Sequence, residues 1–169
     1  MKIFLIGYMG CGKSTMGRKL SQMLDIAFID LDKYIEEKYF KTIPQIFEQE
    51  GEDEFRRKEQ AALKEVADFE DVIVATGGGA PCFFNNMDMM NKAGLCVFLD
   101  VDAAELASRL IHSKTERPLI KGKSTEELED FIEGMMVRRR PFYEKAKCIL
   151  KGNEILPEHV IAKIDTRSE

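Results

Sequence analysis

The stretch GYMGCGKST, Gly7–Thr15, follows directly on the apolar run Ile3-Phe4-Leu5-Ile6. Its spacing, Gly7-x-x-x-x-Gly12-Lys13-Ser14, fits the phosphate-binding loop that joins a strand to a helix. Gly7, Gly10 and Gly12 let the backbone wrap closely around an anion, in conformations that a side chain forbids. Backbone N–H groups then point inward beside a helix N-terminus, the positive end of its dipole. Gly10, Cys11, Gly12, Lys13, Ser14 and Thr15 are therefore the candidate nucleotide-binding residues. Lys13 is expected to reach the β- and γ-phosphates and the Ser14 hydroxyl to ligate Mg²⁺. A chance glycine turn with a surface lysine is the plain alternative. It requires neither the strand that precedes this loop nor the amphipathic helix that follows it.

Working outward, short β-rich runs alternate with longer amphipathic stretches. Residues 2–6, 27–30, 72–75, 95–99 and 148–151 read as strands. Helices are expected over 14–24, 32–39, 43–50, 52–69, 103–111, 125–139 and 156–164. Met16, Leu20, Met23 and Leu24 mark the core face of the first helix, and Phe55, Ala62, Val66 and Phe69 that of the fourth. The polar segment 112–123 lacks a helical stripe and reads as a loop. Alternating strands and helices in one domain imply an α/β fold, a parallel sheet covered on both faces. Ligands of such sheets sit at the carboxyl ends of the strands. The first, second and third strands end in the phosphate loop, in Asp30-Leu31-Asp32 and in Thr76-Gly77-Gly78-Gly79.

The 169 residues suit a single domain, and 44% hydrophobic with 33% charged residues is a globular composition. A net charge of −5 gives no general attraction to nucleic acid or anionic membrane, though a local positive pocket stays open. Cys11, Cys82, Cys96 and Cys148 form no Cys-x-x-Cys pair and have no histidine at metal-ligand spacing. Reduced thiols in a cytoplasmic protein are the simplest reading. Cys11 reads as a small filler in the loop. The first apolar run is too short for a leader, and no later run is long enough to span a bilayer.

Asp30 and Asp32 lie two apart on an extended segment, so both carboxylates can face one site. One suits Mg²⁺ and the other a substrate hydroxyl; alternatively, Asp32 simply caps the helix that follows. Arg56 and Arg57 point about 100° apart on a helix, so only one can face a pocket. Arg138, Arg139 and Arg140 precede Pro141 at a helix end, where the dipole alone favours them. Planar guanidinium groups would also grip a carboxylate-bearing substrate. Arg117 in the polar loop can close over the phosphates. Three successive glycines at 77–79 let a ligand approach the backbone closely.

Together these pieces resemble the shikimate kinase family. GYMGCGKST, Asp30-x-Asp32, Phe55-Arg56, ATGGGA over 75–80, Arg117-Pro118-Leu119 and Arg139-Arg140-Pro141-Phe142-Tyr143 stand in its order and spacing. The phosphate loop alone is common to many nucleotide-binding proteins; the combination is specific and covers residues 2 to about 164. The resemblance implies a P-loop fold of the nucleoside-monophosphate-kinase-like group, with five parallel strands in the order 2-3-1-4-5. It implies one kinase domain over 1–169, with a shikimate-binding region at 33–59 and a lid at 112–123. ATP and shikimate would be its substrates, Mg²⁺ its cofactor, and a monomer its expected state. The γ-phosphate would pass to the 3-hydroxyl of shikimate, a step toward aromatic amino acids.

Carried over by motif, Arg56 and Arg139 would bind the shikimate carboxylate. Asp32 would contact its hydroxyls and act as base or orienter, Gly78 and Gly79 would offer backbone contacts, and Phe47 and Phe55 apolar walls. Asp30 would support Mg²⁺ with Ser14, while Lys13 and Arg117 would stabilise transferred charge. The chain departs from the pattern at Leu110, where the family has an arginine packed on adenine; the nearest arginine is Arg109. Phe142 likewise stands for a leucine. Gluconate also carries a carboxylate and hydroxyls, so a gluconate or nucleotide kinase is the enzyme alternative. A nucleotide-binding module without catalysis is the other, and it would not need Lys13, Ser14, Asp32, Arg56, Arg117 and Arg139 together.

Overall fold

The computed structural model describes residues 1–113 and 121–166. Five strands, β1 (Lys2–Ile6), β2 (Ala27–Asp30), β3 (Val72–Ala75), β4 (Leu95–Asp100) and β5 (Cys148–Lys151), form one sheet in the order β2-β3-β1-β4-β5. Every pairing is parallel. All residues of β3 and β4 are buried, as are Ile3 to Ile6 of β1. Side chains alternate between the two faces, so full burial means that helices cover both. The edge strands β2 and β5 are partly exposed.

The helices are α1 (Lys13–Leu24), α2 (Leu31–Tyr39), α3 (Ile43–Glu50), α4 (Glu52–Ala67), α5 (Asn86–Ala93), α6 (Ala103–Ile111), α7 (Thr125–Tyr143) and α8 (Pro157–Asp165). Local chemistry sets several of their ends. Thr42 and Gln45 close a capping box on α3, with Pro44 tolerated in its first turn. Ser124 caps α7 by accepting from the Glu127 N–H at 3.2 Å. Among the described residues no helix is long and apolar enough to cross a membrane, and no disulfide joins the cysteines.

The structure departs from the sequence reading in four places. Helix α5 and the 3₁₀ turn Ala80–Cys82 were not expected, because 80–93 mixes Pro, Asn and Met without a long stripe. Met87 and Met90 are the helix's fully buried apolar residues, with Met89 and Ala93 packed partly against the core. Helix α4 stops at Ala67, so Phe69 leaves the core and is 41% exposed, edge-on to Tyr34. Met23, in the last turn of α1, is likewise half exposed.

Finally, α7 does not end at Arg139 but runs through Pro141 to Tyr143. Proline there removes one bond, to the carbonyl of residue 137. Val137 is 76% exposed, so water can serve that group. The extra turn has a consequence for the site, since it carries Tyr143 into the core.

Parallel pairing aligns the strand ends. Asp30 and Ala75 pair in register, as do Leu5 with Ala75 and Ile6 with Phe98. The loops leaving β1, β2 and β3 therefore meet at one edge. β1 lies between β3 and β4, where the strand order reverses and the crevice of a doubly wound sheet opens.

Candidate active site

The phosphate loop enters α1 through three glycines with positive φ: +146° at Gly7, +82° at Gly10 and +97° at Gly12. L side chains rarely adopt these conformations. Lys13 folds back into the loop, its Nζ donating to the carbonyls of Gly7 at 2.7 Å and Tyr8 at 3.0 Å. Cys11 is buried beneath the loop, its Sγ 3.8 Å from Lys13 Nζ.

Ser14 Oγ donates to Asp30 Oδ2 at 2.9 Å. Asp30 Oδ1 accepts the N–H groups of Asp32 at 3.1 Å and Lys33 at 3.3 Å. Asp30 is thus the cap of α2, and Asp32 is not. Strand alternation does not align the two carboxylates either: Asp30 ends the strand and Asp32 sits in the first turn of the helix. They share a site because the chain turns between them.

That site is a cavity of about 620 Å³, lined on one side by Lys13, Ser14, Thr15, Asp30 and Asp32. Phe47 and Phe55 form an apolar wall, their rings 4.7 Å apart. Arg56, Glu59 and Arg139 complete it. Of the paired arginines on α4, Arg56 faces the cavity with 11% of its side chain exposed, while Arg57 is exposed and pairs with Glu54. Of the three on α7, Arg139 lines the cavity, Arg138 is exposed, and Arg140 makes a two-pronged bond to Asp100 at 2.9 and 3.2 Å.

The glycines at 77–79 serve space rather than backbone conformation, since none has a positive φ. A Cβ on Gly77 would stand 3.0 Å from an Asp32 carboxylate oxygen, one on Gly78 3.1 Å from Arg139 Nη1, and one on Gly79 2.6 Å from Arg56 Nη2. Three bare Cα atoms are the floor on which three polar side chains rest. Tyr143 Oη donates to the Gly78 carbonyl at 2.5 Å and fixes this floor from the core side.

Glu59 is the residue the sequence reading missed. Its side chain is 1% exposed, and its Oε1 accepts from Arg56 Nη1 at 2.9 Å. Burial pushes its carboxyl up to about 7, against the pull of Arg56. Burial, and then the charge of Asp30, also raise Asp32 above the ordinary carboxylate range. The signal for Glu59 was present: 55, 59, 62 and 66 are one helical stripe, and the other three are apolar. An acid at a core position needs a partner.

A second cavity, of about 320 Å³, opens on the other side of the loop, with Gly10, Gly12 and Thr15 lining both. Arg109 lies along it, donating from Nη2 to the Asn153 carbonyl at 2.6 Å and from Nη1 to the Gly10 carbonyl at 3.4 Å. Leu110 is buried, 3.1 Å from where a Gly10 Cβ would stand. The arginine that lines this cavity is therefore Arg109. Arg117 lies outside the described residues, as do residues 114–120 of the expected lid.

Ser14 and Asp30 offer two hard oxygen donors beside the loop, a set that suits Mg²⁺ shared with phosphates and water. Among the described residues no three His, Cys, Asp or Glu side chains converge as a metal cage.

Comparison with known proteins gives a consistent picture. A family model described as shikimate kinase matches residues 9–167. The shikimate kinase of Phocaeicola vulgatus is 51% identical over 166 residues, 98% of this chain and 95% of that protein. The crystal structure of shikimate kinase from Bacteroides thetaiotaomicron superposes with a TM-score of 0.91 at 43% identity, covering 99% of this chain and 97% of that one. Shikimate kinase from Acinetobacter baumannii in complex with shikimate gives 0.84 at 34% identity, over 98% and 91% of the two chains.

Proposed function

This chain belongs to the shikimate kinase family, and from that premise we propose how its own residues divide the work of phosphoryl transfer. It is an ATP-dependent kinase whose acceptor is shikimate, and the group moved is the γ-phosphate, onto the 3-hydroxyl. The observation that carries the acceptor reading is the pairing of Arg56 and Arg139 with Asp32 in the cavity that Lys13 and Ser14 also line. Two guanidinium groups suit a carboxylate, and a carboxylate 3.0 Å from the Gly77 Cβ position suits ring hydroxyls.

In this reading residues 10–15 hold the triphosphate through backbone N–H groups, and Lys13 exchanges its bonds to Gly7 and Tyr8 for phosphate oxygens. Ser14 and Asp30 would hold Mg²⁺, which neutralises charge on the β- and γ-phosphates when bound. Arg56 and Arg139 grip the acceptor at its carboxylate, and Phe47 and Phe55 contact its apolar face. Gly78 and Gly79 offer the acceptor backbone polar groups, while their missing Cβ atoms leave room for the Arg139 and Arg56 side chains.

Asp32 turns the reacting hydroxyl toward the γ-phosphorus. A loose transition state needs alignment more than early proton removal, so orientation is its main contribution. Burial makes Asp32 a stronger base than an exposed aspartate, which helps it take the proton late. Arg109 is assigned to the nucleotide base. Arg117 and the segment 112–123 are assigned to a lid that excludes water, and residues 33–59 to the acceptor region. The single kinase domain acts as a monomer.

ADP release from ATP·Mg²⁺ tests the reading, with shikimate, gluconate, AMP or no acceptor, beside the Asp32→Asn variant. Release with shikimate alone, falling by about a hundredfold or more in the variant, is expected. Release with gluconate or AMP instead refutes the acceptor assignment.

A further inference from the structure

We propose that Phe83 is a positioning residue for the acceptor's carboxylate, its ring holding the plane of the Arg56 guanidinium. The inference rests on the acceptor reading above. It starts from an imbalance at Arg56. Nη1 is anchored by Glu59 at 2.9 Å, but Nε is buried without a hydrogen-bond partner among the described residues, its nearest carboxylate oxygen 3.6 Å away on Glu52. One anchored nitrogen leaves a long side chain free to swing about that point. Recognition of a carboxylate is in-plane and two-pronged, so the orientation of the guanidinium decides whether both bonds form.

The missing constraint comes from the Phe83 ring, whose centroid is 4.0 Å from Arg56 Cζ. The other cation–ring pairs among the described residues lie at 4.7 to 5.8 Å. A face contact restricts the plane while leaving the edge N–H groups that Glu59 does not take available to a ligand. It also favours the positive charge electrostatically.

The chain is built to hold this ring in place. Phe83 closes the 3₁₀ turn Ala80–Cys82, directly after the glycine floor. The buried Asn86 ties that turn down, its Nδ2 donating to the Ala80 carbonyl at 2.9 Å and its N–H to the Phe83 carbonyl at 3.3 Å. Phe84 then takes a left-handed φ of +49°, uncommon for an aromatic residue, and is 57% exposed. The reversal separates two adjacent phenylalanines, one onto Arg56 and the other into solvent.

Steady-state kinetics of the full chain with ATP and shikimate test this, using Phe83→Leu, Phe83→Met, Phe83→Tyr and Phe84→Leu. Phe83→Leu and Phe83→Met should raise the shikimate KM about tenfold, with kcat and the ATP KM within about twofold. Phe83→Tyr, which keeps the ring, and Phe84→Leu should match the parent. With shikimate methyl ester as acceptor, which has no anionic carboxylate, Phe83→Leu should lose nothing further. An unchanged shikimate KM in Phe83→Leu overturns the inference, as does an equal rise in Phe83→Tyr or with the ester. If the parent fails to turn over shikimate, the acceptor reading falls and this inference with it. Parent turnover with a flat KM series removes this inference alone.

Discussion

Replacing Gly79 with alanine separates the cost to the fold from the cost to the site. Gly79 has φ −87° and ψ −17°, a conformation that alanine adopts without strain. Restricting the unfolded chain there should stabilise the fold by about 0.5 kcal/mol. The new Cβ, however, would stand 2.6 Å from Arg56 Nη2, 2.8 Å from Nη1 and 3.0 Å from Cζ. Non-bonded heavy atoms settle at about 3.5 Å or more, so the guanidinium must retreat by about 1 Å. It can do so, because it is the end of a flexible side chain. A hydrogen bond to a carboxylate at about 2.8 Å does not survive that displacement. Losing charge-assisted bonds costs about 1.5–3 kcal/mol, a rise of roughly 10- to 150-fold in the shikimate dissociation constant.

Calorimetric titration with shikimate, steady-state KM values and a thermal melt are the assays. The expected pattern is weak shikimate binding, an unchanged ATP KM, and a melting temperature equal to or slightly above the parent's. Unchanged shikimate affinity would refute the placement of Arg56 on the carboxylate. The Arg56→Ala background adds a second check. If Gly79→Ala there costs as much again, the Cβ obstructs the acceptor directly and Arg56 is not the intermediary.

Gly94→Ala should show the opposite split. Its Cβ would stand 2.4 Å from the Lys2 carbonyl oxygen, in the backbone of the central strand, so denaturant titration should show a loss of about 3 kcal/mol and a melt roughly 10 °C lower, with KM values near the parent's. Glu59 faces Arg56 on its own helix, Asp32 from α2 and Arg139 from α7. With its folded value near 7 and the ordinary value at 4.5, the folded state binds the extra proton between those limits, so stability is highest below 4.5 and falls as pH rises through 7. Urea unfolding at pH 5 and pH 8 should therefore show a smaller decline in Glu59→Gln than in the parent, by on the order of 3 kcal/mol at most; equal declines would refute the buried-acid account. Arg109→Ala should raise the ATP KM by roughly three- to tenfold and leave the shikimate KM unchanged, whereas equal changes in both would remove the base-site assignment.

The order of strands and helices was legible because each element carries one dominant signal. β1 is an apolar run closed by a glycine loop, and α4 has a stripe interrupted only by Glu59. Helix α5 was hidden because its core contacts come from Met87 and Met90 with partial help from Met89 and Ala93, too short a set for a stripe to show in eight residues. The end of α7 was misread because a proline stop is a statement about one hydrogen bond. Tertiary packing of Tyr143 against Gly78 and Phe98 outweighs it. The phosphate loop was readable from its motif, whereas the choice of Arg56 over Arg57, and of Arg139 among its neighbours, came from the resemblance, since spacing left both open; the loop, Arg56 and Arg139 line one cavity with Asp30. What the glycines at 77–79 do was not readable, because the reason lies in side chains brought from α2, α4 and α7.

The charges in the acceptor cavity explain how a protein of net charge −5 can attract an anion. Asp30, Asp32, Glu36 and Glu59 line the same cavity as Lys13, Lys33, Arg56 and Arg139, so on formal charges the site would be neutral. Formal charges mislead here. Burial lifts Glu59 to about 7, so part of the negative charge is held there as a neutral carboxyl group. Asp30 accepts hydrogen bonds from Ser14 and from the start of α2. The arginines cannot neutralise in turn. With the Glu59 proton in place, the formal balance left to an entering ligand is positive. Glu59 accepts from one nitrogen of Arg56, and in its protonated form it does so without cancelling the guanidinium charge. A core position occupied by an acid, which looks like a defect in the stripe of α4, is thus what aims the arginine beside it while leaving it available to an anion.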